Sequence, residues 1–222
     1  MPTADGPRAG AQPSLADGPF RDRVASLARA IATVPLREVK GYLCRAVRSK
    51  YLKDCQPPEP LYFLASARAG ARFTPVGGPA GLYLADRQDV ALAEIRDIAF
   101  DTAGKLRPLR RRDAVTLVTA LTRVGEVLNL TDPAVCRQIG VTPAEVVAEW
   151  KDELEIYLAG RGALPLTQQI GLAAHLTGRV RGILYPSARH SGGICLCVFP
   201  DRLSAADGDV VRVSGTYRQR LP

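Results

Sequence analysis

Short apolar runs typical of β-strands alternate irregularly with amphipathic helix patterns along the chain. The runs rich in Val, Ile, Leu and Tyr predict strands at 42–47, 61–65, 81–85, 179–185, 193–199 and 210–217. The segment 116–130 indicates one or two further strands, with a helix as the alternative. Because strands and helices do not alternate regularly, and no internal repeat of about 20 to 50 residues is found, this order predicts a mixed α+β fold.

Apolar spacing and helix end signals predict four helices. They are expected near 20–34, from 86 or 89 to about 99, at 142–158 and at 167–176. The third helix has the most specific start, with Thr142 as N-cap, Pro143 at the first helical position and Glu145 three residues after the cap. Residues 81–100 are therefore expected to run from a strand through a turn into a helix.

Composition predicts one globular domain with a short appendage. The 222 residues, of which 46% are hydrophobic, are enough for a sizeable core. Residues 1–19 are expected to form a mobile tail, 20–40 the N-terminal helix, and 41–222 the main domain. No apolar run approaches the roughly 18 to 20 residues of a membrane-spanning helix, and the N-terminus has no signal-peptide core. A cytoplasmic protein without membrane contact is expected.

The formal net charge of +8 comes mostly from arginine. Arginine-rich chains bind nucleic acid, hold phosphate groups bidentately, or present a solvated face to an acidic partner. The only dense basic run, at 106–113, has neither interleaved aromatic residues nor a helix-turn-helix pattern. Direct DNA binding is therefore disfavoured.

Cysteine and histidine usage narrows the chemistry that is available to the chain. The five cysteines include no C-x-x-C pair, which argues against a disulfide framework and a zinc site, and they are expected to pack as small core residues. Only two histidines are present, so no metal site is expected. Neither a G-x-G-x-x-G motif nor a P-loop occurs. An enzyme built from this chain must work mainly with arginine, carboxylate, tyrosine and hydroxyl groups.

Several segments in a fixed order carry a family resemblance. They are Tyr42–Val47 with Arg45, Gly70–Pro75 with Arg72, Gly81–Ala85 with Tyr83, Ala91–Glu94, Thr167–Gly171 and Gly182–Arg189. Glu94 follows Tyr83 by eleven residues. The ordered set, which covers about residues 41–200, resembles the RES domain family, named for its Arg, Glu and Ser residues.

The resemblance implies a fold, an activity and a partner. RES domains are similar in fold to ADP-ribosyltransferase toxins, which implies a single α+β domain of mixed strands with flanking helices, with the NAD-binding catalytic part at 41–222. The implied activity is that of a toxin that cleaves the nicotinamide–ribose bond of NAD⁺, as an NAD⁺ phosphorylase or NAD⁺ glycohydrolase. Inorganic phosphate is then a possible co-substrate, and no cofactor is bound permanently. The implied partner is a separate helix-turn-helix antitoxin.

Two other functions remain open at this point. The same reactive cation could be trapped by a protein side chain, which would make the chain a mono-ADP-ribosyltransferase. A basic module that binds nucleic acid or an acidic protein, without catalysis, is the second alternative.

The resemblance assigns catalytic roles to Glu94, Arg45 and Arg72. Glu94 is expected to accept hydrogen bonds from ribose hydroxyls and to stabilise the positive charge that grows on the ribose. Arg45 and Arg72 are expected to hold the pyrophosphate or inorganic phosphate, and Tyr83 to stack against nicotinamide. The alternatives are an ordinary exposed helix residue for Glu94 and a residue that caps the core for Tyr83. Nicotinamide is already a cationic leaving group, so no general acid is needed.

The hydroxyl of the family serine has two candidates. Thr167 is preferred as the catalytic hydroxyl, with a helix N-cap as its alternative role, and Ser187 is the second candidate, as a substrate-binding residue. Ala46 stands directly after Arg45, where the family has an aromatic residue, so one substrate contact is expected to be missing. Arg68 and Arg189 are lesser candidates for the site.

Overall fold

The computed structural model describes residues 20–53, 59–95, 98–100, 106–108, 114–213 and 219–221. The expected tail at 1–19, Cys55 and residues 109–113 of the basic run lie outside these ranges. No helix within the described ranges is long and apolar enough to cross a membrane.

Helices and strands are interspersed throughout the described chain. The helices are α1 (Arg21–Thr33), α2 (Ser49–Lys53), α3 (Leu64–Ala69), α4 (Gln88–Glu94), α5 (Pro133–Gln138), α6 (Pro143–Val147), α7 (Lys151–Leu158) and α8 (Leu166–Leu176). The strands are β1 (Arg37–Arg48), β2 (Leu82–Ala85), β3 (Ile98–Phe100), β4 (Leu106–Pro108), β5 (Val115–Asn129), β6 (Gly182–Pro186), β7 (Ile194–Val198), β8 (Val210–Val213) and β9 (Gln219–Leu221). Two short 3-10 helices, Pro200–Arg202 and Ala205–Asp207, precede β8.

Seven of these strands form one mixed sheet that closes on itself. Their order is β1-β2-β7-β6-β5-β8-β9, and β1 also pairs with β5, so that β1, β2, β7, β6 and β5 form a ring. The β5–β6 pair is parallel and the other pairs are antiparallel. Strands β3 and β4 form a separate hairpin. The α+β prediction, with mixed strands and flanking helices, is confirmed.

The ring is tight on one side of β1 and open on the other. Strand β1 pairs with β5 along almost its whole length, from Arg37 to Arg48. With β2 it pairs only at Cys44, opposite Ala85. Beyond that single position β1 and β2 have no ladder hydrogen bonds between them, and side chains can enter the gap.

Two buried apolar clusters hold the sheet and helices together. The larger one combines α1, α8 and one face of the sheet, and includes Ile31, Phe73, Ile170 and Phe199, all essentially inaccessible to solvent. The smaller one lies around β5, β8 and β7. Helix α1 packs against α8 through the apolar stripe that the sequence predicts, and therefore shares the core of the main domain.

Several predicted elements are confirmed. Helix α1 ends at Thr33, just before Pro35, and α8 matches the helix expected at 167–176. Strand β5 is one continuous strand. The capping box of α6 is complete, because Thr142 Oγ1 accepts from the Glu145 amide at 3.2 Å and Glu145 Oε2 accepts from the Thr142 amide at 2.7 Å.

Three predicted elements are wrong. The strand expected at 61–65 is a turn that leads into α3, whose Ala-rich sequence favours a helix. The helix expected to reach residue 99 ends at Glu94, because 98–100 pairs with 106–108 as a hairpin instead. The helix expected at 142–158 is broken at Ala148, whose backbone is extended with φ −56° and ψ 155°.

Close packing between α8 and the loop before β2 depends on a glycine. A Cβ atom added at Gly171 would lie 1.8 Å from the carbonyl oxygen of Phe73. No side-chain rotation can relieve that overlap, because the backbone fixes the position of a Cβ and the carbonyl is itself part of the backbone. Gly171 therefore lets α8 approach the loop that carries Arg72.

We expect Gly171→Ala to lower the free energy of unfolding by about 1 to 3 kcal/mol, because the contact becomes overpacked. Alanine would otherwise stabilise a helix interior by about 1 kcal/mol relative to glycine, so the sign of the change tests the packing. Urea unfolding measures it. Gly125→Ala is the control, since a Cβ there meets its nearest neighbour at an ordinary 3.6 Å. A Gly171→Ala variant as stable as the wild type would contradict the prediction.

Candidate active site

A cavity of about 280 Å³ lies over the gap between β1 and β2. Side chains of β1, β2, β6, β7, α3, α4, the loop before β2 and the junction of α6 and α7 line it, and four of them belong to residues to which the family resemblance assigns roles. These are Arg45, Arg72, Tyr83 and Glu94. The tertiary structure thus brings together residues that are up to 49 positions apart in the chain.

Arg45 bridges the gap between the two strands. Its Nη1 donates to the carbonyl oxygen of Tyr83 on β2 at 3.2 Å, and its Nη2 donates to the carbonyl oxygen of Tyr62 at 2.7 Å. Its Nε is buried and has no hydrogen-bond partner among the described residues. Burial lowers the pKa of Arg45 to about 10, so its guanidinium remains positively charged at neutral pH.

Arg72 is held against the broken helix on the other side of the cavity. Only 6% of the residue is exposed, and its Nη1 donates to the carbonyl oxygens of Val146 at 3.0 Å and Ala148 at 2.9 Å. These carbonyls lie at the C-terminal end of α6, where they have no partner within the helix. The break at Ala148 therefore supplies the acceptors that fix the guanidinium.

Two neutral phenols complete the inner wall. The hydroxyl of Tyr83 accepts from the Phe73 amide at 3.0 Å and lies 3.1 Å from Thr74 Oγ1. Tyr185 packs edge-on against the ring of Phe73. Burial is the main reason that the pKa of both phenols lies well above the ordinary value of a tyrosine. Because the hydroxyl of Tyr83 is bonded to the neighbouring loop, its contribution to the cavity is its ring.

Glu94 is the last residue of α4 and is half-buried at the cavity. Its Oε1 accepts from the hydroxyl of Ser187 at 2.6 Å. Cys195, which also lines the cavity, lies next to this carboxylate, and burial together with the charge of Glu94 raises the pKa of the thiol. Glu94 is therefore a fixed carboxylate in the site and not an ordinary exposed helix residue.

The hydroxyl of Ser187 has its hydrogen-bond directions defined by the backbone. It accepts from the amides of Arg189 at 3.1 Å and His190 at 3.0 Å. A serine hydroxyl has two acceptor lone pairs and one proton. With both lone pairs occupied, the proton is directed at Glu94.

Thr167 does not lie where the sequence analysis expects it. It is 97% buried as the second residue of α8, and its Oγ1 has no hydrogen-bond partner within the described part of the chain. It lines a different hollow, beside α7, and not the cavity at Glu94. Nor is it a helix cap, because the N-cap position of α8 is Pro165. Ser187 does not line the cavity either, but of the two hydroxyls it is the one that contacts the carboxylate.

Sequence reasoning missed several residues that line the cavity, among them Trp150, Lys151, Tyr185 and Cys195. Tyr185 and Cys195 lie on β6 and β7, where alternation indicates only core or surface. Trp150 and Lys151 reach the site because α6 and α7 are separate helices, a break that no proline or glycine marks. Arg189, a lesser candidate, also lines the cavity and forms an ion pair with Glu149.

The charge balance of the cavity favours an anionic ligand. Within the described ranges, neither Arg45 nor Arg72 forms an ion pair with a carboxylate. Lys151 and Arg189 add two further positive charges to the wall, the second of them paired with Glu149, while Glu94 is the only acidic residue among the described residues that line it. Buried guanidinium groups whose partners are neutral carbonyls retain a net positive charge that phosphate oxygens can neutralise.

Comparisons with known proteins identify a similar fold and the family of the chain. The chain is similar to a protein in the crystal structure of the M. tuberculosis MbcT–MbcA toxin–antitoxin complex, with a TM-score of 0.59 and 20% identity over 88% of this chain and 91% of that one. No curated protein sequence matches the chain. The family model of the RES domain matches residues 42–220, from β1 to β9. The match spans most of the chain and every residue of the cavity, and the protein therefore belongs to the RES domain family.

Proposed function

We propose that this protein is an NAD⁺-degrading enzyme that cleaves the bond between nicotinamide and ribose. One observation carries the proposal: the Glu94 carboxylate, oriented by Ser187, lines the same small cavity as two guanidinium groups that have no acidic partner in the described part of the chain. A fixed negative charge beside an anion-binding surface suits a substrate with a cationic centre and a pyrophosphate. Membership of the RES family supports the choice of NAD⁺.

The size of the cavity indicates which part of the substrate it encloses. At about 280 Å³ it is close to the lower limit of roughly 300 Å³ for small-molecule sites. We infer that it takes the nicotinamide and its ribose, while the adenosine end extends toward the solvent. Tyr83 and Tyr185 present apolar ring surface to the nicotinamide.

The proposed reaction needs charge stabilisation more than proton transfer. As the bond between ribose C1 and the nicotinamide nitrogen breaks, its electron pair neutralises the pyridinium ring and positive charge develops on the ribose. The Glu94 carboxylate stabilises that charge and accepts hydrogen bonds from the ribose hydroxyls. Its orientation is set beforehand by Ser187, so little reorganisation accompanies the step.

The two arginines are proposed to hold phosphate groups. Arg45 and Arg72 keep their guanidinium planes fixed through backbone carbonyls, which lowers the entropy lost when an anion binds. They would bind the pyrophosphate of NAD⁺ or inorganic phosphate as the acceptor. An oxygen of phosphate, or of water with loss of its proton, then forms the new bond to ribose C1. Phosphorolysis is preferred on the family resemblance.

A toxin role with an antitoxin partner is part of the proposal. A solved structure with a similar fold is that of a toxin–antitoxin complex. We propose that a separate protein of the helix-turn-helix class covers the cavity of this chain and blocks access of NAD⁺.

We expect the purified protein to release nicotinamide from NAD⁺, because Glu94 stabilises the developing cation. Incubation with and without inorganic phosphate, followed by mass spectrometry, identifies the acceptor. ADP-ribose phosphate that forms only when phosphate is present indicates phosphorolysis, and free ADP-ribose indicates hydrolysis. A protein whose mass has increased by one ADP-ribose group indicates transfer. If the NAD⁺ concentration stays unchanged although the protein is folded and free of other proteins, the proposal is wrong.

Glu94→Gln tests the carboxylate. The amide keeps the shape and an oxygen for Ser187 but loses the charge, so we expect kcat to fall by roughly 10² to 10³-fold. Circular dichroism and the unfolding midpoint should stay unchanged. Glu155→Gln is the control, because Glu155 is exposed on α7 and lines neither the cavity nor the hollow beside α7. A Glu94→Gln variant with full turnover would remove Glu94 from the mechanism.

A pair of variants decides between the two hydroxyls. Ser187→Ala removes a hydrogen bond to a charged group, worth about 1.5 to 3 kcal/mol, and should lower kcat roughly 10- to 100-fold. Thr167→Val keeps the shape of a buried side chain whose hydroxyl has no partner among the described residues, so kcat should be unchanged and stability equal or higher. Steady-state kinetics on NAD⁺ measure both. The reverse pattern would restore Thr167 as the functional hydroxyl.

A further inference from the structure

Three acidic residues, one just before α4 and two within it, hold the segment that follows β6. Asp86 Oδ1 accepts from the amide of Ile194 at 3.1 Å, Asp89 Oδ2 lies 3.0 Å from Nε2 of His190, and Glu94 accepts from Ser187. The contacts occur in reverse order along the two segments, so 86–94 and 187–194 run antiparallel, joined at three points. The last of these points is the proposed catalytic carboxylate.

The segment between Ser187 and Gly193 is also folded back on itself. The Ser187 amide donates to the Gly193 carbonyl at 2.8 Å, and the Gly193 amide donates to the His190 carbonyl at 3.0 Å. A Cβ at Gly193 would lie 2.7 Å from Cγ2 of Val90 on α4. The segment therefore lies directly on the helix that carries Glu94.

The side chain of His190 joins this folded segment to α4. Its Nδ1 lies 2.7 Å from the Ser191 carbonyl oxygen, and its Nε2 faces Asp89. The pKa of Asp89 lies below its ordinary value: desolvation raises it, but the Val90 amide, Arg87 and His190 lower it more. Both ring nitrogens of His190 thus face oxygen atoms of neighbouring groups.

The backbone of the same residue acts on the serine. The His190 amide supplies one of the two hydrogen bonds that occupy the lone pairs of Ser187 Oγ. A displacement of His190 would therefore free a lone pair, and the serine proton could turn away from Glu94. His190 touches the serine through its backbone and α4 through its side chain.

We propose that His190 is a positioning residue, whose contact with Asp89 keeps the hydroxyl of Ser187 directed at Glu94. The expected effect of His190 on turnover rests on the proposed function, whereas its role in holding the segment 187–193 on α4 depends only on the contacts described above. His190 does not line the cavity, so it acts through Ser187.

The chain contains a matched control. His175, at the end of α8, has Nε2 2.7 Å from Oδ2 of Asp201. Like the contact of His190 with Asp89, this histidine–aspartate contact joins a helix to a neighbouring segment. Neither His175 nor Asp201 lines the cavity. A general effect of losing a histidine–aspartate contact on stability should appear in both His175→Gln and His190→Gln.

Steady-state kinetics on NAD⁺ test the coupling. His190→Gln is expected to lower kcat roughly tenfold, which lies within the range of coupling energies between contacting residues. KM should be nearly unchanged. Asp89→Asn should also lower kcat. His175→Gln should retain the wild-type kcat. In the Ser187→Ala background, His190→Gln should cause no additional loss. Independent losses that multiply in the double variant, or an unchanged kcat in His190→Gln, would overturn the proposal.

Hydrogen exchange tests the positioning without any turnover. Mass spectrometry of peptides that cover 187–193 should show faster amide exchange in His190→Gln than in the wild type, and no change in His175→Gln. If the wild type does not consume NAD⁺, the proposed function fails, and this exchange difference alone decides whether His190 holds the segment. Equal exchange in the wild type and His190→Gln would overturn the positioning role.

Discussion

The candidate site depends on the way Arg45 spans two diverging strands. Strand β1 is pinned to β5 but meets β2 at one residue pair only, which leaves backbone carbonyls in the gap. The guanidinium of Arg45 takes up one of them, on Tyr83, together with the carbonyl of Tyr62 in the segment before α3, so a charged group stands in for a ladder hydrogen bond where the ring of strands opens. This places a positive charge inside the domain that forms no ion pair with a carboxylate among the described residues, and it lines the same cavity as Glu94.

The remaining walls of the cavity follow the same physical logic. Arg72 is fixed by carbonyls that a helix end leaves unpaired, and Ser187 by two amides of a folded segment. In each case backbone groups orient a polar side chain before any ligand binds. Such preorganisation suits a reaction in which positive charge develops and protons move little.

Much of this arrangement could be predicted from the sequence. Caps, proline positions and apolar spacing located α1, the start of α6 and α8, because these signals act within a few residues. Arg45, Arg72, Tyr83 and Glu94 were identified through a family resemblance, and all four line one cavity. The break at Ala148, the hairpin of β3 and β4, and the choice between Thr167 and Ser187 could not be predicted. The break and the position of the hydroxyl each depend on partners far away in the chain.

The sequence by itself determined the α+β class, the main helices and the set of polar residues available for chemistry. Local propensities and side-chain types carry that information without reference to the rest of the molecule. Only the tertiary structure decided which groups meet. Thr167 and Ser187 both offer a hydroxyl, yet burial in α8 removes one from the cavity, and the turn after β6 brings the other within 2.6 Å of Glu94. Hydrogen bonds between distant segments depend on three-dimensional packing, which no local pattern encodes.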